Sequence, residues 1–138
     1  MYQEYLIPIA LLTMRIWLGS IFIIQASDKL FNIGIQNVSD AFEFKISHFA
    51  LSPNVYRYFA GLTSIIELNA GILILFGLFK VVALAALALN ILLLSIAFSL
   101  NTPMWDMRHF LPRFLILLIV MFTSNQNDWF SIDWLMNK

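Results

Sequence analysis

Apolar residues run in long blocks along this chain, and the polar positions mostly fall between the blocks. Leu6 to Ile24 contains a single charge, Arg15. The stretch from about Tyr56 to Leu78 is interrupted by Arg57 at its start and Glu67 at its middle. Val81 to Leu100 contains no charge, and Phe110 to about Thr123 contains only Arg113. A helix needs about 20 mostly apolar residues, at about 1.5 Å rise each, to cross a bilayer. Four such spans fit, at about 5–27, 53–78, 81–100 and 103–123. The expected fold is all-α: a four-transmembrane-helix antiparallel bundle occupying one domain, residues 1–138. A soluble bundle is the competing reading, but Val81 to Leu100 offers only Asn90, Ser95 and Ser99 as polar groups. A surface helix would show a polar stripe at period 3.6, and this segment has none.

Local signals place the boundaries. Ser52-Pro53 and Thr102-Pro103 read as an N-cap followed by Pro at the first helical position. Gly77 and Lys80 mark a tight turn that makes the second and third spans antiparallel neighbours. Pro112 falls inside the fourth span and is expected to kink it. Residues 1–14 contain no Lys or Arg, so the first span is expected to remain in the membrane rather than to act as a cleaved signal. The one long connection, residues 28–55, can hold a short interfacial helix. Ser39 would cap it, with Phe42, Ile46 and Phe49 on one face. An irregular loop with scattered aromatics is the other reading. Trp105 and Trp129 stand near span ends, where interfacial aromatics are expected.

Composition narrows the function classes. The chain is 61% hydrophobic and 12% charged, with a mean hydropathy of +0.84. A soluble domain is nearer half apolar and a quarter charged. Eight basic and eight acidic residues balance, which excludes nucleic-acid binding through a basic field. With no Cys, disulfides, dithiol relays and Cys-ligated metals are excluded. His48 and His109 do not make a metal set. Lys29, Lys45, Arg57 and Arg108 on one side, against Lys80 and Lys138 on the other, favour a cytoplasmic long loop.

The intramembrane polar residues carry the candidate chemistry. A charge at mid-span costs about 2.5–3.5 kcal/mol on insertion scales, so each needs a partner inside the bundle. Counted from the helix ends, Arg15, Glu67, Asn90 and Arg113 all lie roughly 14–16 Å from the side carrying the termini. One polar group per helix therefore converges on a common layer, with Glu67 expected to pair with Arg15. Two Arg against one Glu leave a positive excess, suited to a quinone head, a lipid head or a partner's carboxylate. Lys29, Asp106 and His109 are possible ligand or interface contacts. The alternative is that the cluster only fixes helix packing. Small residues Gly71, Ala83, Ala86 and Ala88 are expected to hold the second and third spans together.

These residues also carry a resemblance. The run Arg15-Ile16-Trp17-Leu18-Gly19 through Asp28-Lys29-Leu30-Phe31 resembles the first-helix signature of the DoxX family. Ile66-Glu67-Leu68-Asn69-Ala70-Gly71, followed by Phe76-Gly77-Leu78, is similar to its second-helix motif. The Phe-rich 42–49 segment is similar to the MauE-like branch of the superfamily, and Asp128 to Asp133 is a looser match. The resemblance implies four transmembrane helices and an association with membrane redox systems, in places thiosulfate–quinone chemistry. MauE-like relatives often carry paired cysteines, which this chain lacks. The expectation is thus a multi-pass protein of the bacterial inner membrane that is not an enzyme on its own. It would be an accessory subunit of a quinone-linked complex or, alternatively, an assembly factor or scaffold. Its partners would be the bilayer and other membrane subunits, in a hetero-complex or homo-oligomer. Quinone or lipid are the candidate cofactors, and no metal is expected.

Overall fold

The computed structural model describes the backbone at residues 2–100 and 103–136, and the side chains at 5–100, 108, 110–123 and 128–136. Among these, the regular elements are all helices: α1 (Tyr2–Ser27), continued by a π-helical stretch Asp28–Ile33, then α2 (Ile35–Ile46), α3 (Pro53–Phe76), α4 (Lys80–Ser99), α5 (Pro103–Asn127) and the short α6 (Ile132–Met136). Tyr5–Ile33, Pro53–Phe76 and Lys80–Ser99 are long and apolar enough to cross a membrane, and Phe110–Thr123 is a shorter apolar segment within α5. The architecture is a helical membrane bundle.

The core and the outer surface are both apolar. Leu18 and Phe22 of α1, Ala70 and Ile74 of α3, Leu84 and Leu87 of α4, and Leu117 and Val120 of α5 form the central cluster. Facing outward on α4, Val82 is 67% exposed, Val81 60% and Ile96 55%. A surface of that kind is stable only where the surrounding solvent is itself hydrocarbon.

Antiparallel helices α1 and α3 cross at two glycines. A Cβ on Gly19 would stand 2.8 Å from the Gly71 carbonyl oxygen, and one on Gly71 would stand 3.1 Å from the Gly19 carbonyl oxygen. Close backbone approach of this kind drives helix association in lipid. Gly71 therefore faces α1 rather than holding α3 to α4 as expected; Ala70 and Ile74 of α3 share the buried core with Ala83 and Leu84 of α4.

The α3–α4 turn is closed at both helix ends. Gly77 adopts φ 68°, and the amides of Gly77 and Leu78 donate back to the Ile74 and Leu73 carbonyls at 3.1 and 2.9 Å. This is the left-handed C-cap that glycine favours. Phe79 is also left-handed, at φ 46°, a conformation costly for a residue with a Cβ. The Asp133 carboxylate accepts from the Phe79 and Lys80 amides at 2.8 and 2.9 Å. A charged cap on a helix N-terminus offsets that cost.

The long connection contains a helix, though not the one the pattern predicted. It starts at Ile35 after Gly34, and Ser39 is buried in its interior rather than capping it. Val38, Phe42 and Ile46 pack with Tyr56 and Ala60 of α3 and with Leu94, Ala97 and Phe98 of α4. Phe49 belongs to a separate 3-10 turn and is half exposed. The spacing that aligned it with Phe42 and Ile46 assumed one uninterrupted helix. α3 begins at Pro53 with Ser52 at its N-cap position, where the hydroxyl makes no capping bond. Thr102 and the side chains of Trp105, Asp106 and His109 lie outside the described residues. Trp129 packs edge-on against Tyr5, with ring centroids 5.8 Å apart.

Candidate functional site: two polar layers and an aromatic cavity

The intramembrane polar groups separate into two layers. Gly77 marks the first, where Arg15 lies against the α3–α4 turn, close enough that a Cβ on Gly77 would collide with its guanidinium. Glu67 marks the second. The two positions are ten residues apart on α3, or about 15 Å along the helix. Arg15 and Glu67 therefore do not pair, contrary to the expectation from helix-end counting. α1 begins beyond the α3–α4 turn, so a residue well inside α1 is still at the end of α3.

In the outer layer Arg15 donates to Asp128 Oδ2 at 2.8 Å and to the Phe130 carbonyl at 2.8 Å. Lys80 reaches the same Asp128 oxygen at 3.0 Å. The side chains of Arg15 and Asp128 are 3% and 2% exposed. A carboxylate shared by two cations is charge-assisted on both sides. Ser131 Oγ donates to the Asp128 carbonyl and accepts from the Trp134 amide, fixing the turn that leads into α6. The C-terminal segment thus clamps α1 to the α3–α4 turn. Neither Asp128 nor Lys80 stands out in the sequence as an intramembrane charge, because each lies just outside an apolar block.

Glu67 is buried in the inner layer. Lys29 donates to its Oε2 at 2.5 Å, and Asn90 donates to its Oε1 at 3.4 Å. Lys29 comes from the π-helical stretch at the end of α1. Such wide turns often occur where a helix re-aims a functional side chain. Arg113 donates to Gln25 Oε1 at 3.0 Å and has no acidic partner among the described residues. A lone amide in an apolar run, as Gln25 is, gives no charge signal in the sequence.

These groups face a cavity of about 300 Å³, lined by Gln25, Lys29, Glu67 and Arg113 together with Phe22, Phe42, Phe98 and Phe110. Phe98 contacts both Phe42 and Phe110, at centroid distances of 5.2 and 6.1 Å. The chamber lies at the lower end of the usual range for small-molecule sites. Its chemistry is specific: donors on Lys29 and Arg113, an acceptor on Glu67, and flat aromatic walls. Two cations against one carboxylate leave an excess of one positive charge.

Replacing Glu67 by glutamine removes the counter-charge of Lys29 and one acceptor. The expected cost is about 1–3 kcal/mol of stability, read as a lower unfolding midpoint in detergent. A Lys29→Met change made in the Glu67→Gln background should cost less than Lys29→Met alone. Additive losses would show that the pair is not coupled.

The DoxX family model matches residues 10–102, a segment that runs from within α1 to past the end of α4 and contains every inner-layer residue except Arg113. No curated protein matches the chain, and no solved structure does.

Proposed function

The chain belongs to the DoxX family, and on that premise we propose that it is a non-catalytic accessory subunit of a quinone-linked redox complex in the bacterial inner membrane. The single observation that carries this reading is the cavity of about 300 Å³ in which four phenylalanines surround Gln25, Lys29, Glu67 and Arg113. A quinone ring is flat, apolar on its faces and hydrogen-bond accepting at its two carbonyls. Phenylalanine walls suit the faces, and Lys29 and Arg113 suit the carbonyls. The chain would position the ring while a partner subunit supplies the electron-transfer centre.

A structural scaffold is the second reading. It is favoured by Lys29–Glu67 and Arg113–Gln25 being matched within the chain itself, as packing alone would require. Purification in mild detergent, followed by native mass spectrometry and solvent extraction of quinone, separates the two. The accessory reading expects co-purification with a redox subunit and bound quinone. A quinone-free assembly with envelope proteins would favour the scaffold, and a lone chain that turns over quinone unaided would overturn both.

A further inference from the structure

Beside the polar cavity lies a second, larger hollow of about 450 Å³ between α2, α3 and α4, open along one flank of the bundle. Its lining includes Leu62 and Ile66 of α3, Ala86 and Leu93 of α4, and Phe49 and Leu51 of the connection. The walls are almost wholly apolar; Thr63 and Asn90 are the exceptions. Phe42, Leu94 and Phe98 line both hollows. The edge-to-face pair Phe42–Phe98 is therefore the partition between a polar chamber and an apolar groove open to the side. Lys45 stands over the outer part of this partition, its ammonium 5.7 Å from the Phe98 ring centroid.

We infer that the groove holds the isoprenoid chain of the quinone whose ring occupies the polar cavity, and that the chain enters sideways from the bilayer past Phe42 and Phe98. This rests on the function proposed above and adds to it the route and the tail. Adjacency of the two hollows, separated by side chains that line both, is the first support. The division of chemistry is the second: hydrogen-bonding groups concentrate in one chamber, hydrocarbon in the other. One groove serves one chain, so a two-tailed phospholipid is a poor match. Moving a chain from fluid lipid into the groove gains no burial from water. Its contribution comes instead from dispersion contacts with fixed walls, enough for about a tenfold preference.

The test compares a benzoquinone ring without a chain, the same ring with a long isoprenoid chain, and a long-chain fatty acid, in one detergent. The full chain should bind the tailed quinone about tenfold more tightly than the bare ring. Ala86→Phe, and separately Leu62→Phe at a partly exposed wall, should reduce that preference to within about threefold. Val82→Phe, on the outer face of α4, should leave it intact. A photoreactive group at the chain end should label the 59–66 and 89–97 segments. If the bare ring binds but the tail adds nothing, or labelling scatters over the outer helix faces, the groove assignment is overturned while the cavity assignment survives. Failure of the bare ring to bind at all overturns the underlying function. A fatty acid that displaces the tailed quinone at equal concentration shows that the groove accepts any single chain and overturns the quinone as its occupant.

Discussion

Replacing Asp128 by alanine is expected to lower the stability of the bundle by about 3–5 kcal/mol, the cost of breaking a buried ion pair from one side. Arg15 and Lys80 would then face each other without the carboxylate both of them contact. The loss is aggravated by position, since Asp128 opens the turn that holds Asp133 over the Phe79 and Lys80 amides. With that cap displaced, the left-handed Phe79 loses its compensation. Asp128→Asn keeps an acceptor for one cation and should lose less. Unfolding midpoints in detergent report the first effect, and limited proteolysis reports the second. Cleavage near residues 128–136 should become rapid in Asp128→Ala while the helices remain formed. Unchanged midpoint and cleavage would mean that the clamp contributes nothing.

Gly19→Leu should be comparably damaging, at about 3 kcal/mol or more, for a different reason. A Cβ there stands 2.8 Å from the Gly71 carbonyl oxygen and 3.0 Å from the Leu75 amide nitrogen. Both atoms are backbone and cannot rotate away. The two helices must separate along the crossing that aligns Lys29 with Glu67, so overpacking is added to loss of the ion pair. Gly61 is a suitable control, because a Cβ there meets nothing within 4 Å. Gly61→Ala should leave the midpoint unchanged or raise it slightly, since alanine is the better helix former. Poor expression and a lowered midpoint confined to the Gly19 variant would support the crossing; equal behaviour of the two would refute it.

Helix type and the spans in α1, α3 and α4 were legible in the sequence because hydropathy and length suffice to define a membrane helix; in α5 the apolar part, Phe110–Thr123, is shorter. So was the burial of Arg15, Glu67 and Asn90, since a charge or amide in an apolar block must turn inward. Pairing was not legible. Counting residues from helix ends assumes that all helices begin at one plane, whereas α1 begins beyond the α3–α4 turn and carries Arg15 to the outer layer. Lys29 appeared to lie on a loop, and the π-helical stretch that turns it toward Glu67 has no pattern of its own. Asp128 and Asp133 lie in a short segment after the last apolar block, too short to span, whose local pattern does not show where it folds back on the bundle. Gln25 shows the general limit: a neutral acceptor becomes visible only once Arg113 is placed beside it.

The inner cavity is proposed as a seat for a quinone ring, with Arg113 as a donor to it. Equilibrium binding of a chain-free benzoquinone to the purified protein, compared with Arg113→Gln, addresses this most directly. A hydrogen bond from a charged donor is worth about 1.5–3 kcal/mol, so the variant should bind the ring roughly ten- to a hundredfold more weakly with its helical content intact. Equal affinity in the two proteins, or no measurable binding by either, would contradict it.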